Sequence, residues 1–199
     1  MCDPRGAMKI AVLALQGAFR EHIAIFRRCG CDAVEARLPG DLADIAGLVI
    51  PGGESTTIAK LIDRYSLAEP LLDLARGGVP IFGTCAGTIL LSRNRNGCGE
   101  AFLELIDITV TRNAYGRQID SHEADITLTF SPEVPYNALF IRAPVIDETG
   151  DGVVVLARHL DKPVFVRQRG ILAATFHPEL TDDDRVHRYF LEMIEGKNR

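Results

Sequence analysis

Val79-Pro-Ile-Phe-Gly-Thr-Cys-Ala-Gly-Thr-Ile-Leu-Leu91 reads as a short apolar strand, Val79 to Phe82, that turns through G-x-C-x-G into an apolar helix over Ala86 to Arg93. A strand, a sharp turn and a helix in that order form a nucleophile elbow, with cysteine where hydrolases often carry serine. The flanking glycines have a physical reason. A turn that exposes one side chain leaves no room for Cβ atoms beside it, and its backbone angles cost about 1–3 kcal/mol. The following helix aims its N-terminus at the Cys85 sulfur, which favours negative charge there. Taken alone, G-x-C-x-G fits a buried structural cysteine equally well.

The same rhythm extends to either side of the elbow. Lys9 to Leu15 is an apolar run without polar alternation, as in a strand covered on both faces, and Ala18 to Cys29 has helical spacing closed by Gly30. Ala33 to Arg37 and Gly47 to Ile50 are further strands, while Thr56 to Tyr65 and Leu67 to Arg76 are helices. This alternation through short loops predicts an α/β fold with a doubly wound, mostly parallel sheet of the flavodoxin-like kind. The second half changes character. Strands at Ile106 to Thr111, Asp125 to Phe130, Ala138 to Ile141, Val153 to Ala157, Pro163 to Arg167 and Ile171 to Phe176 follow one another without long helices. Antiparallel additions are expected there. A last helix, Asp183 to Glu195, has Thr181 as its expected N-cap.

The 199 residues, 47% hydrophobic and 25% charged with a net charge of −5, suit a single domain. Met1 to Ala7 lack periodicity and precede a second methionine, so they read as a disordered extension or alternative start, leaving residues 8–199 as that domain. Scattered Lys and Arg form no basic stripe, so no nucleic-acid partner is expected. The longest apolar candidate, Ile81 to Leu91, is cut by glycine, threonine and cysteine and falls short of the roughly 18 residues of a spanning helix. No membrane partner is expected either. Cys2, Cys29, Cys31, Cys85 and Cys98 are irregularly placed, as in a cytoplasmic protein with reduced thiols, and Ile10 to Leu15 lacks the cleavage site of a signal peptide.

Two more segments carry chemistry. Ile171-Leu-Ala-Ala-Thr-Phe-His177-Pro-Glu179 is a buried-type strand ending in a histidine, with a carboxylate two residues on. His177 suits a base that takes the Cys85 proton and returns it to a leaving group, and Glu179 suits the group that orients its ring. Pro51-Gly-Gly-Glu-Ser-Thr-Thr57 is a glycine turn at another strand end, able to aim backbone N–H groups at an anion, but without the lysine of a P-loop. Three such strand ends converge at the carboxyl edge of one parallel sheet. Cys29-Gly-Cys31 has the wrong spacing for a zinc or redox pair and reads as structural. His22 reads as a partner contact or a solvated position beside Arg20 and Glu21, and His122, His159 and His187 have no companions at metal spacing, so no metal is expected.

These segments together resemble the class I, triad-type glutamine amidotransferases, and within them the glutaminase subunits of pyridoxal 5′-phosphate synthase. The narrower resemblance rests on Leu15-Gln-Gly-Ala18 with Arg20-Glu-His22, on Pro51 to Thr57, and on Phe82-Gly-Thr-Cys-Ala-Gly87. It continues through Arg112-Asn113, Gly116-Arg-Gln118, Ser121 to Asp125, Phe140-Ile-Arg-Ala-Pro144 and Phe176-His-Pro-Glu-Leu-Thr181. The resemblance implies that Cys85 is the nucleophile, His177 the base and acid, and Glu179 the orienting carboxylate. It implies glutamine bound against Gly52, Gly53, Glu54, Arg112, Ile141 and Arg142, with Gly53 and Ala86 supplying oxyanion N–H donors. An arginine suits the substrate carboxylate, and Glu54 its ammonium. It further implies no cofactor, and ammonia delivered to a separate (β/α)₈-barrel synthase subunit. Thr88 departs from the family pattern, which usually has an aliphatic residue there. Two alternatives remain open: the glutaminase subunit of another amidotransferase, such as imidazole glycerol phosphate synthase, and a cysteine-elbow stress sensor whose Cys85 is oxidised. The His-x-Glu spacing argues against the second.

Overall fold

A computed structural model describes residues 8–95, 103–112 and 121–197. Met1 to Ala7, Cys98, Asn113 and Gly116-Arg-Gln118 lie outside them. The chain runs β1 (Lys9–Leu13), α1 (Phe19–Arg28), β2 (Asp32–Ala36), β3 (Gly47–Ile50), α2 (Ser55–Arg64), α3 (Ala68–Arg76), β4 (Ile81–Thr84) and α4 (Ala86–Leu91). It continues through β5 (Ser92–Arg95), β6 (Ile106–Thr111), β7 (Ser121–Leu128), β8 (Ser131–Ile141), β9 (Val145–Thr149), β10 (Val154–His159), β11 (Lys162–Gln168), β12 (Ile171–Ala174) and α5 (Arg185–Ile194).

Among the described residues, a seven-stranded sheet has the order β10-β11-β12-β4-β3-β1-β2. Its β2-β1-β3-β4-β12 portion is parallel throughout and has the flavodoxin-like order, while β11 and β10 add on antiparallel beyond β12. Successive residues of each central strand feed opposite cores. Ile10, Val12, Val49, Phe82 and Leu172 pack with α1, α5 and the β7–β8 hairpin. Ala11, Leu13, Leu48, Ile50 and Ile81 pack with α2, α3, α4 and the small β5-β6-β9 sheet. Both faces are therefore buried, which is why these strands carry no polar alternation. No described helix is long and apolar enough to cross a membrane.

The later strands depart from the expected pattern. The antiparallel strands of the second half only partly join the main sheet; β7–β8 and β5-β6-β9 form sheets of their own. The hairpin is longer than the two short strands read from its apolar residues, because residues 121–124 of β7 and 131–135 of β8 include no buried side chain. Pro132 and Pro135 are tolerated in β8 because each strand of a two-stranded sheet has a free edge. The elbow helix stops at Leu91 rather than Arg93. Ser92 is extended, and its hydroxyl donates to the Ile89 carbonyl at 2.8 Å. Thr181 is not the cap of α5. Asp184 occupies that position, and the Thr181 hydroxyl lies 3.2 Å from the Tyr136 hydroxyl instead.

Gly87 brings α4 directly onto β3. A Cβ there would overlap the Ile50 carbonyl oxygen, a backbone atom that cannot rotate away. Gly87→Ala is expected to lower unfolding free energy by about 1–3 kcal/mol through overpacking, read as a lower urea midpoint with unchanged slope.

Candidate active site

Four ends of the parallel strands open onto one cleft of about 350 Å³: Gln16-Gly17 after β1, Gly52-Gly53 after β3, Cys85 after β4 and His177 after β12. This is the carboxyl edge of the sheet, where the order of strand addition reverses between β1 and β3 and side chains can gather unobstructed. A hollow of about 530 Å³ beside Val79, Gly170 and Ile171 lies at the amino ends of β4 and β12 instead, away from these groups.

Cys85 takes φ 47° and ψ −102°, a conformation L-residues rarely adopt, so its side chain leaves the sheet at the turn. Its N–H donates to the Ala174 carbonyl at 2.8 Å, and its sulfur lies 3.8 Å from the Ile141 carbonyl. Thr88, the residue that departs from the family pattern, is fully buried and donates its hydroxyl to the same Ala174 carbonyl at 2.6 Å. It thereby anchors the first turn of α4 to the end of β12.

His177 is held from both sides. Its backbone N–H donates to the Leu139 carbonyl on β8 at 2.9 Å, and its Nδ1 lies 2.7 Å from Glu179 Oε1. Pro178 begins a short 3-10 turn that brings Glu179 back beneath the ring, where its side chain is fully buried. Burial opposes a charge on His177, but hydrogen bonds to the Cys85 sulfur and to Glu179, with the charges of both, outweigh it. The imidazole is therefore held protonated well above its ordinary range.

The glycine turn is shaped by what it lacks. A Cβ on Gly52 would collide with the His177 ring. The Gly52 N–H donates to Thr84 Oγ1 at 3.0 Å and its carbonyl accepts from the Ala18 N–H at 3.0 Å, which fixes the plane of the peptide carrying the Gly53 N–H. Ala86 opens α4, where first-turn amides have no intrahelical acceptor. Glu54 caps α2, accepting from the Thr57 N–H at 2.8 Å and from the Thr56 and Thr57 hydroxyls. Those bonds hold its carboxyl well down, at about 2. Arg112 reaches Glu54 Oε1 at 3.3 Å, so the groups expected to meet the carboxylate and the ammonium on the α-carbon of glutamine stand side by side in the cleft.

Every residue singled out for the site lines this cleft except Glu179, which sits behind His177. Gln16, whose Oε1 accepts the Glu54 N–H at 2.7 Å, and Leu180 were missed as lining residues. His22 is misread by the sequence: it is wholly buried, not solvated. The signal was present, since Phe19, His22, Ile23 and Phe26 follow i, i+3, i+4, i+7 spacing and put the histidine on the apolar stripe of α1. Cys29 and Cys31 are half-buried away from the cleft, and burial pushes the Cys31 thiol up to about 11. A strained thiol, an imidazole and a buried carboxylate in sequence can transfer a proton and open a covalent route to acyl substrates.

Comparison with known proteins agrees. Residues 12–196 match the model of the SNO glutamine amidotransferase family. A Pelotomaculum thermopropionicum protein named pyridoxal 5′-phosphate synthase subunit PdxT is 58% identical over 185 residues, covering 93% of this chain and 94% of that one. The protein of the same name from Dehalococcoides mccartyi is 53% identical over 191 residues, covering 94% and 98%. A crystal structure titled glutamine amidotransferase superposes with a TM-score of 0.89 at 45% identity, covering 94% of this chain and 98% of that one. PurLQS from Thermotoga maritima, at 16% identity and a TM-score of 0.77 over 95% of this chain and 100% of that one, shares the fold alone. By sequence, fold and the residues at its cleft, the chain belongs to the SNO glutamine amidotransferase family.

Proposed function

We propose that residues 8–199 act as one glutaminase domain, hydrolysing L-glutamine to L-glutamate and ammonia for a pyridoxal 5′-phosphate synthase. The observation that carries the chemistry is Cys85, strained at the elbow, packed with the His177 ring around Gly52, with His177 Nδ1 2.7 Å from Glu179 Oε1. The Cys85 sulfur, its S–H bond broken and the proton held on His177, attacks the side-chain amide carbon, forming a C–S bond and an oxyanion met by the Gly53 and Ala86 N–H groups. His177 gives its proton to the nitrogen, the C–N bond breaks and ammonia leaves. Water then attacks the thioester with His177 as base, releasing glutamate and restoring the thiol. No cofactor is needed for these steps. Arg112 and Arg142 serve the substrate carboxylate and Glu54 its ammonium, while Gly52 and Ile141 shape the walls.

The ammonia acceptor is a separate synthase subunit, a (β/α)₈ barrel, in a cytoplasmic complex without nucleic acid or membrane. The relatives named as pyridoxal 5′-phosphate synthase subunits favour this acceptor over imidazole glycerol phosphate synthase.

Glutamate release measured with the synthase subunit present is expected to fall on the order of 10⁴-fold or more in Cys85→Ala. Undiminished turnover would remove Cys85 as nucleophile. Because Glu179 helps to hold His177 protonated, the alkaline limb of kcat/KM should lie well above neutrality and move down in Glu179→Gln. Arg112→Gln is expected to raise KM for glutamine by about 10–100-fold, the scale of one charge-assisted hydrogen bond, with little change in kcat.

A further inference from the structure

We propose that His22 is a positioning residue of the triad, donating its Nε2–H toward the second oxygen of Glu179 and tying that carboxylate, through Thr84, to the Gly52 turn. The inference rests on the glutaminase reading and extends it to a residue on α1 that does not line the cleft.

Glu179 uses Oε1 on His177, and its buried Oε2 makes no regular hydrogen bond. His22 Nε2 stands 3.3 Å from that oxygen and 3.1 Å from Thr84 Oγ1. On the opposite side of the ring, His22 Nδ1 lies 3.0 Å from Nε2 of His187 on α5. Both histidines are wholly buried, and desolvation keeps both neutral, so each carries one ring proton.

Two arrangements of those protons exist. If His22 Nδ1–H donated to His187, His187 would carry its own proton on Nδ1, a buried atom with no partner, and His22 would turn an Nε2 lone pair toward the Glu179 carboxylate. In the other arrangement His187 Nε2–H donates to His22 Nδ1, and His22 Nε2–H faces Thr84 Oγ1 and Glu179 Oε2. Only the second puts a donor before the carboxylate and leaves a bare acceptor, rather than a stranded N–H, on His187. The chain of donors then runs one way, from His187 through His22 to Glu179, and the other carboxylate oxygen receives the His177 Nδ1–H.

Thr84 adds the link to the oxyanion side. Its hydroxyl oxygen already accepts the Gly52 N–H at 3.0 Å. One imidazole thus touches the carboxylate that orients the base and the hydroxyl that orients the glycine turn.

Three substitutions test this. His22→Leu keeps apolar volume and removes both nitrogens; His22→Gln places an amide N–H₂ near the Nε2 position; His22→Asn reaches only the Nδ1 position. With the synthase subunit present, His22→Leu is expected to lower kcat by about 10–100-fold with KM nearly unchanged, the scale on which partners that orient a functional ligand act. His22→Gln should restore kcat to within about threefold of the unsubstituted chain, and His22→Asn should remain low. A parallel readout without turnover is the rate at which iodoacetamide alkylates Cys85 in the folded chain, which should follow the same order. If His22→Leu does not fold, the contrast between Gln and Asn still decides. Equal kcat and alkylation rates across folded variants, or recovery by Asn and not Gln, would overturn the assignment and leave His22 as a packing residue. Failure of the glutaminase reading would show separately, as no glutamate release by the unsubstituted chain with the synthase subunit present.

Discussion

The backbone carbonyl of Ala174 joins the two halves of the site. It accepts the Cys85 N–H at 2.8 Å and the Thr88 hydroxyl at 2.6 Å, so the last residue of β12 fixes the turn that presents the thiol. Three residues further along the same strand end stands His177. The separation of sulfur and imidazole is therefore set by neighbouring parallel strands in register, Ala174 opposite Thr84, and not by flexible loops. Groups mounted on paired strand ends lose little freedom when they act, which is how a small domain can hold reactive atoms within a fraction of an ångström.

Around that joint the protein achieves proximity by removing atoms. Gly52 lets the His177 ring approach the turn, and Gly87 lets α4 lie against the Ile50 carbonyl. Both contacts draw β3 toward the elbow strand, so the glycine turn and the first amides of α4 face a common space. The packing of the sheet and the shape of the cleft are one arrangement seen from two sides.

Much of this was legible in the chain. The unbroken apolar runs of β1, β3, β4 and β12 announced a sheet covered on both faces, and Cys85, His177 and Glu179 stood out by type and spacing at strand ends. Other parts were hidden for definable reasons. In β9 only Val145 and Ile146 face inward before three exposed polar residues, too short a signal to separate from a loop. Residues 121–124 of β7 and 131–135 of β8, at opposite ends of the hairpin, include no buried side chain, so hydrophobic pattern carries little information about them. His22 was obscured by its charged neighbours, since Arg20 and Glu21 suggest a solvated turn while the helical stripe turns the intervening face inward. The link from His22 to Glu179 spans most of the chain, and no local pattern encodes it.

Cys85 holds φ 47° at the turn, in a region that glycine occupies freely and other residues resist. A glycine there would relieve backbone strain of about 1–3 kcal/mol while ending the chemistry. Selection for robustness alone would drift away from cysteine at this position. The thiol is a standing charge against the stability of the domain, and the surrounding carbonyl, hydroxyl and glycine contacts are what keep that charge tolerable.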